Sequence, residues 1–449
     1  MQEGPYSYLM IRWWLWLLLC TSLVAQEATV ESRLAELKAA YSAQPQWKED
    51  LFAPAFLEAV PAAKLRPLMI DLFQKTGAIE RFEVLEKKGE WSGRWRAITR
   101  EGFGMPISLT LQEEAPHSII GLFFQPPEPM IADLSALVEH IAKLPGQASF
   151  GIWKLGEKPE ALVTHEPDRS LAIGSAFKLY ILGALLEEQR DMQEIVPLRT
   201  EWRSLPSGRL QTWPAGMPMT IGALTCAMIS ESDNTATDHL LHTLGRERVE
   251  SMLAAMGNAQ PQRSLPFLST SEMFRLKLGS KGELAKGYAK LDVAARREFL
   301  AKELTPERMP LDGLAETAGQ WTRPREIDTV EWFASASDLM RALNWLRLRT
   351  EGNSLARGAL AINRGLAISE TDFPYVGYKG GSEPGVLCLA HLVQDKRGDW
   401  YAVCLMRNDT KRSVNEELTT GLATRAFTLL AGAGSEKPAT VPPREKPSR

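Results

Sequence analysis

The alternation of apolar and polar residues between Glu80 and Pro127 is the feature that most constrains the fold of this chain. Four runs with a period of two residues are separated by the turn-like stretches KKGE, REGFG and EEAPHS. A strand exposes alternate residues on opposite faces, and short runs joined by such turns pair with their neighbours. The segment therefore predicts an antiparallel meander with one buried face.

The residues before this meander have the helical period instead. Residues 27–45 predict a short helix, and residues 47–77 carry apolar residues at helical spacing, interrupted at Pro61 and closed by Gly77. Helices followed by an alternating sheet predict a small α+β domain over residues 27–127, after which QPPEPM is typical of a linker. This domain has no cluster of metal ligands and no glycine-rich phosphate loop, so a packing or interaction role is expected.

The first 25 residues have the layout of a secretory signal peptide. From Met10, a basic Arg12 precedes an apolar run and then small residues that end near Ala25. The run is shorter than the roughly 20 apolar residues that a membrane span requires, so no stable span is expected. Translation can start at Met1 or Met10, and we expect a secreted or periplasmic protein. The polar, proline-rich residues 434–449 predict a disordered tail.

Composition limits the classes of function. A chain of 449 residues with 44% apolar residues has enough core for at least two domains, and its formal net charge of −3 gives no basic surface for nucleic acid. Outside the leader, Cys226, Cys388 and Cys404 lack metal-ligand spacing and are expected to be small buried hydrophobes. A cross-strand pair between Cys388 and Cys404 is the alternative. We expect no metal and no cofactor.

The second part of the chain contains a serine and a lysine at helical spacing. SFGIWKL and EALVTHEP predict two paired strands, and a helix then begins near Ser175 in IGSAFKLYILGALLEE. Lys178 lies one turn later, close enough to touch the hydroxyl of Ser175. A serine needs a base to become a nucleophile, and a lysine in a dry site can be neutral enough to serve. A capping serine beside a solvated lysine is the alternative.

Two further motifs follow at a distance. Ser232-Asp233-Asn234 lies between two helical runs, so Ser232 and Asn234 can face a cleft while Asp233 turns back to hold the loop, although an ordinary helix cap has the same composition. An alternating strand ends on Lys379-Gly380-Gly381, where glycines allow a ligand to approach the backbone. A hairpin turn is the alternative there.

In this order the three motifs resemble those of the serine β-lactamase and penicillin-binding-protein superfamily, most closely class A β-lactamases. The resemblance covers residues 147–432 and implies a β-lactamase-like domain over residues 130–432, with helices on both faces of an antiparallel sheet and a helical subdomain. The expected fold class is thus multi-domain α+β. The N-terminal domain is similar to the isomerase-like, nuclear transport factor 2-like domain of two-domain serine hydrolases associated with clavulanic acid biosynthesis.

The resemblance implies four catalytic residues. Ser175 would be the acylated nucleophile and Lys178 its activating base or hydrogen-bond partner. Ser232 would relay a proton to the leaving group. Lys379 would hold a substrate carboxylate and raise the acidity of its neighbours.

Substrate binding is implied for Asn234, Gly380, Gly381 and Ser382, with the backbone N–H groups of Ser175 and Ser382 as the oxyanion hole. Gly380 replaces the hydroxyl residue that helps to hold the substrate carboxylate in this superfamily, and Ser382 can compensate. His391, on the strand after Lys379, is a further candidate to line the cleft.

The glutamate that activates the deacylating water in class A enzymes has no counterpart in AQPQRSLPFLSTSEMFRLKLGSKG. Glu272 is the nearest candidate, but its place after Ser269 also predicts a helix capping box. The expected function is that of an exported serine hydrolase that acts on small acyl compounds, namely β-lactams, amides or esters, and turns over slowly. A penicillin-binding D,D-peptidase or transpeptidase, and a catalytically reduced covalent binder or sensor, are the alternatives.

Overall fold

The computed structural model describes residues 29–433. The predicted leader, residues 1–25, and the predicted tail, residues 434–449, lie outside the described residues. The chain divides into two compact units, Met1–Met130 and Ile131–Arg449, which are described separately.

The helices of the first unit begin and end where their local sequence requires. Thr29 caps the first helix in a capping box with Ser32, and Pro61 separates the next two. Gly77 ends the third with φ of 75°, a conformation that favours glycine. The helices are α1 (Val30–Ala40), α2 (Pro54–Ala59) and α3 (Ala62–Thr76).

The sheet of the first unit is the antiparallel meander that the alternation predicts. Its strands follow the order β1-β2-β3-β4, and β5 pairs with β3. One face carries buried residues such as Trp95 and Met105, which share a core with Leu37 and Met69 of the helices. The resemblance to the nuclear transport factor 2-like fold stays a prediction. The strands are β1 (Ile79–Lys87), β2 (Ser92–Thr99), β3 (Phe103–Leu111), β4 (Ile119–Phe124) and β5 (Glu128–Pro129).

The second unit is built on a five-stranded antiparallel sheet of order β12-β13-β14-β6-β7, so that strands from both ends of the unit pair at its centre. Two short pairs, β8 with β11 and β9 with β10, lie outside it. The strands are β6 (Gln147–Leu155), β7 (Glu160–His165), β8 (Leu171–Ala172), β9 (Ile195–Pro197), β10 (Pro218–Thr220), β11 (Phe333–Ala334), β12 (Tyr375–Glu383), β13 (Val386–Gln394) and β14 (Trp400–Asn408).

Helices cover both faces of this sheet. Along β13, Ala390 and Leu392 belong to a core that includes most helices, whereas Leu389 and Val393 point to a second core. The predicted fold class is confirmed. The helices are α4 (Leu134–Ala142), α5 (Lys178–Glu187), α6 (Ile221–Ser230), α7 (Asn234–Leu244), α8 (Arg246–Ala255), α9 (Thr270–Leu278), α10 (Glu283–Ala289), α11 (Val293–Glu303), α12 (Ala315–Gly319), α13 (Ala336–Arg349), α14 (Ser354–Ala361) and α15 (Glu416–Ala433).

The fold bears on two predictions, one about a membrane span and one about the cysteines. Between residues 29 and 433, no helix has the length and apolar character that crossing a membrane demands. Cys226, Cys388 and Cys404 are free thiols. Cys388 faces Met406 and Cys404 faces Ala390, so the two cysteines are offset along neighbouring strands instead of paired.

Candidate active site

Ser175 lies in a 3₁₀ turn, Gly174–Phe177, that leads directly into α5. The helix is apolar on every side and is buried from Lys178 to Leu186, so it cannot shift without disturbing the core. Gly174 has a φ of 47°, which favours glycine. The turn is thus held in place at the edge of the sheet, with Ser175 partly exposed.

Lys178 is fully buried and bonded to the serine–aspartate–asparagine loop. Its Nζ donates to the carbonyl oxygen of Ser232 at 2.6 Å, to Ser232 Oγ at 3.0 Å and to Asn234 Oδ1 at 2.7 Å. The sequence predicts that Lys178 touches the hydroxyl of Ser175. Among the described residues, the hydrogen bonds of Lys178 Nζ all go to this loop and none goes to Ser175, so direct contact with the Ser175 hydroxyl stays a prediction.

Asp233 holds this loop from the inside. Its Oδ1 accepts from the N–H of Ala236 at the start of α7, and its Oδ2 accepts from the N–H groups of Arg209 and Leu210. The carboxylate is therefore both a helix cap and a tie to a neighbouring segment. Ser232, with a φ of 56°, faces the cleft, as the spacing predicts.

Asn234 also lines the cleft, but both ends of its side-chain amide are used within the protein. Oδ1 accepts from Lys178, and Nδ2 donates to the carbonyl oxygen of Leu205 at 3.0 Å. The side chain thereby fixes the position of the lysine.

Lys379 approaches Ser232 from the opposite wall of the cleft. From β12, its Nζ donates to Ser232 Oγ at 3.1 Å and to the carbonyl oxygen of Gly380 at 2.8 Å. Ser232 Oγ therefore lies between the amines of Lys178 and Lys379, which come from elements about 200 residues apart in sequence.

Burial shifts the proton affinity of both amines. Burial, and secondarily the charge of Lys379, lowers the pKa of Lys178 well below its usual value, although Asp238 and Asp233 oppose the shift. Burial lowers the pKa of Lys379 to about 7. A buried amine that loses its proton readily can accept one from a neighbouring hydroxyl.

Gly381 allows the turn Gly174–Phe177 to lie against β12. A Cβ atom on Gly381 would lie 2.1 Å from the carbonyl oxygen of Ile173 and 2.4 Å from the backbone nitrogen of Ser175. A Cβ on Gly174 would lie 3.0 Å from the backbone nitrogen of Ser382. Because neither glycine has a side chain, the amides of Ser175 and Ser382 come to the same end of the cleft.

The cleft has a volume of about 520 Å³ and is lined by residues from both walls. Of the four catalytic and four substrate-binding residues that the resemblance implies, seven line the cleft, and the eighth, Lys178, lies directly behind it. Additional lining residues include Glu231, Thr270, Trp321, Glu331, Trp332, Tyr378 and Glu383.

The carboxylates at the wall of the cleft, among the described residues, are all in ion pairs. Glu231 pairs with Arg209. Glu331 and Glu383 both accept from Lys277 Nζ, at 2.8 and 2.6 Å, and the three side chains are almost fully buried. Burial and the charge of Glu331 raise the pKa of Glu383 well above its usual value, against the opposing charge of Lys277. The Glu383 carboxyl therefore holds a proton more readily than an ordinary glutamate does.

Glu272 does not line the cleft. It forms the capping box with Ser269 and a bidentate ion pair with Arg246, at 2.7 and 3.0 Å. Burial alone would raise its pKa, but the charge and hydrogen bonds of Arg246, together with the backbone N–H of Ser269, outweigh burial and lower it. The capping-box interpretation of Glu272 is confirmed.

Sequence reasoning missed several residues of the cleft. Tyr378 directly precedes Lys379, so its position next to a recognised motif could have indicated it. Its side chain fits at the cleft only because Gly380 has no side chain. Lys277, Glu331 and Glu383 are far apart in sequence, so no local pattern predicts that they form a cluster. His391 was expected to line the cleft, which is wrong, because it is fully buried on β13 behind Tyr378.

Across residues 29–433, no three histidine, cysteine or acidic side chains are grouped so that they could hold an ion.

Comparison with known proteins finds one family match, which lies almost entirely within the second unit. Residues 130–310 match the family described as the Beta-lactamase enzyme family. No similar sequence was found among curated proteins.

Several solved structures can be superposed on part of this chain at low sequence identity. A β-lactamase from Sphaerobacter thermophilus is 19% identical, with 67% of this chain and 96% of that chain covered and a TM-score of 0.46. A β-lactamase from Francisella tularensis is 13% identical, with 67% and 98% covered and a TM-score of 0.47. The structure titled PBP-A is 16% identical, with 67% and 94% covered and a TM-score of 0.44.

The family match contains both the serine–lysine and the serine–aspartate–asparagine motifs, and the lysine–glycine–glycine strand closes the same cleft. The second unit of this chain is therefore similar to the Beta-lactamase enzyme family, which supports its resemblance to the serine β-lactamase and penicillin-binding-protein superfamily.

Proposed function

We propose that this protein is an active-site serine hydrolase that forms an acyl-enzyme on Ser175. The observation that carries the proposal is the position of Ser232 Oγ between Lys178 and Lys379, beside the turn that presents Ser175. Two buried amines with lowered pKa values around one hydroxyl provide a path for a proton.

In the acylation step, Ser175 Oγ bonds to the substrate carbonyl carbon while its proton passes to the neutral amine of Lys178. The carbon's bond to the leaving nitrogen or oxygen then breaks. Ser232 donates its hydroxyl proton to that leaving atom and recovers a proton from Lys178. Asn234 supports the step because it positions Lys178.

The oxyanion of the tetrahedral intermediate would be held by the backbone N–H groups of Ser175 and Ser382. Their proximity follows from the close approach of Gly174 and Gly381. One such donor is typically worth about 3–4 kcal/mol of transition-state stabilisation. This supports acyl transfer as the class of reaction.

The substrate class that fits is a small acyl compound with a negative charge. Lys379 Nζ lies in the cleft beside Ser232, and its charge favours a carboxylate there. A β-lactam, an amide or an ester with such a group satisfies these requirements.

A second candidate is a penicillin-binding acyl-enzyme, or a covalent sensor, that releases its acyl group very slowly. The observation in its favour is that the described carboxylates lining the cleft are engaged in ion pairs, while Glu272 is engaged with Arg246 outside it. A carboxylate oxygen that already accepts from a cation is a poor base for a water molecule, and Glu383 Oε2 is the oxygen of these described ion pairs that is buried without a hydrogen-bond partner.

Intact mass measured at intervals after mixing with benzylpenicillin distinguishes these candidates. A transient adduct with product release supports the hydrolase, and a persistent adduct supports the penicillin-binding or sensor function. The matched control is Ser175→Ala, which must form no adduct. Labelling that survives this substitution would refute the assignment of Ser175.

We also propose that the protein is exported, because its first 25 residues have the layout of a signal peptide. The mass of the mature chain from a periplasmic extract tests this. A chain that begins near residue 26 supports export, and an unprocessed chain in the cytosol contradicts it.

A further inference from the structure

The ring of Tyr378 is fixed at the edge of the cleft. On one side it packs against the ring of His391, with 4.6 Å between the centroids. On another side lies Gly365, where a Cβ atom would come within 2.6 Å of three ring atoms. Gly365 has a φ of 71°, which also favours glycine. The ring therefore has little freedom to turn.

The hydroxyl of Tyr378 occupies the space in which a side chain at residue 380 would stand. A Cβ atom on Gly380 would lie 1.9 Å from this oxygen and 2.6 Å from Cζ of the ring. Tyr378 and position 380 share one face of β12, because strand residues two apart point the same way. Gly380 and the phenol are thus complementary, and a larger residue at either position would exclude the other.

The hydroxyl of Tyr378 is available as a hydrogen-bond donor to a ligand. Within residues 29–433, no hydrogen bond to another protein group engages the Tyr378 hydroxyl, and the half-buried side chain lines the same cleft as Ser175 and Lys379. Burial raises the pKa of Tyr378, so the phenol keeps its proton at neutral pH. The cleft wall therefore presents a cation and a free O–H donor on adjacent residues.

We propose that Tyr378 is a specificity-determining residue whose hydroxyl donates a hydrogen bond to the carboxylate of the substrate beside Lys379. This inference rests on the proposed function, because it assumes that the substrate is held in this cleft. A carboxylate has two oxygens, so it can accept from the ammonium group and the phenol together. The role that Ser382 was expected to fill alone is shared with a residue from the same strand.

A matched pair of substrates tests the proposal. Benzylpenicillin and its methyl ester differ only in the carboxylate, so the second-order rate of acylation of each is measured by intact mass. Tyr378→Phe should slow acylation by benzylpenicillin by about 10- to 100-fold, the usual effect of losing a hydrogen bond to a charged group. The rate with the methyl ester should stay within about twofold.

The control variant is Tyr375→Phe, which removes a phenol from the same strand but outside the cleft, where the hydroxyl donates to the carbonyl oxygen of Arg357. It should leave both rates unchanged. Thermal unfolding of Tyr378→Phe should match that of the parent protein, because no protein hydrogen bond is lost.

Equal slowing of both substrates, or no slowing of either, would overturn the role of Tyr378 while leaving the proposed function intact. A parent protein that forms no Ser175-dependent adduct with either compound would overturn the proposed function itself, and the role of Tyr378 with it. Selective slowing with benzylpenicillin supports both.

Discussion

Gly381 lies so close to Ser175 that a Cβ atom on the glycine would be 2.4 Å from the backbone nitrogen of the serine. The contact is between backbone atoms, so no side-chain rotation can relieve it. The distance between strand β12 and the turn Gly174–Phe177 therefore depends on the lack of a side chain at Gly381.

The first prediction is that Gly381→Ala abolishes most acylation. The methyl group would push the strand from the turn and separate the two amide donors, and the loss of one such donor typically costs 10²- to 10³-fold in rate. Stability should fall by about 1–3 kcal/mol from overpacking. Adduct formation with benzylpenicillin and urea unfolding measure the two effects.

The control for this prediction is Gly377→Ala on the same strand. Its Cβ would meet the hydroxyl of Tyr375 at 2.9 Å, which is the end of a side chain that can move. An acylation rate in Gly381→Ala no lower than that in Gly377→Ala would contradict the argument.

The second prediction concerns Ser232, which links the two lysines. Ser232→Ala removes the hydroxyl that both amines contact and should lower the acylation rate by about 10²- to 10⁴-fold, the usual range for a group that transfers a proton. Ser207→Ala is the matched control, because Ser207 Oγ donates only to the carbonyl oxygen of Ser232. If the two variants slow acylation equally, Ser232 acts through the loop backbone and not through its hydroxyl.

The third prediction is a pH dependence that differs between charged and neutral substrates. Burial lowers the pKa of Lys379 to about 7, so the amine is charged below that pH and neutral above it. Acylation by benzylpenicillin should therefore decline as the pH rises above about 7. Its methyl ester has no carboxylate to hold and should show no such decline.

Both substrates require Lys178 to be neutral as the base, so both rates should rise with pH over the range in which Lys178 loses its proton, a range that burial moves to lower pH. Rate profiles from pH 5 to 9 for the two compounds provide the measurement. An identical profile for the acid and the ester would show that the charge of Lys379 is not used for binding.

The sequence predicts those parts of the fold that depend on residues a few positions apart. Pro61, Gly77 and the capping box of Glu272 could be recognised because breaks and caps are set by local spacing. Asp233 could be predicted to hold its loop for the same reason. Contacts between distant segments could not be predicted in this way. The hydrogen bond from Lys178 to Ser232, for example, depends on how α5 packs against α7.

The buried triad shows the same limit more clearly. Lys277, Glu331 and Glu383 come from a helix, a loop and a strand, and no spacing in the sequence connects them. Tyr378 adjoins a recognised motif, yet its place in the cleft follows from a missing side chain on Gly380. A contact that depends on a missing side chain at another position cannot be recognised from the local pattern of a single sequence.

The fourth prediction is that Glu272→Gln leaves deacylation unchanged. Its carboxylate is bonded to Arg246 and to the N–H of Ser269, so the substitution should cost about 1–3 kcal/mol of unfolding free energy through those contacts. The lifetime of the benzylpenicillin adduct, followed by intact mass, should stay within about twofold. An adduct that becomes much longer-lived in the variant would restore Glu272 as the deacylating base.

The last prediction concerns Lys277, the cation of the buried triad. Lys277→Met leaves Glu331 and Glu383 buried beside each other without a cation, and removing one partner of such a group typically costs about 3–5 kcal/mol. Without the charge of Lys277, which opposes the rise, the pKa of Glu383 lies still further above its usual value in the folded protein, so this carboxyl binds a proton that the unfolded chain releases. Stability should therefore fall further as the pH rises, and the loss should be smaller at pH 5 than at pH 8.

Urea unfolding of Lys277→Met at the two pH values makes this measurement, with Lys286→Met as the control. Lys286 pairs with Glu283 on the exposed surface, where an ion pair adds little to stability, so its removal should have hardly any effect at either pH. Because Glu331 and Glu383 line the cleft, the loss of Lys277 should also slow acylation in protein that remains folded. A variant as stable as the Lys286→Met control would mean that the two buried glutamates do not depend on the charge of Lys277.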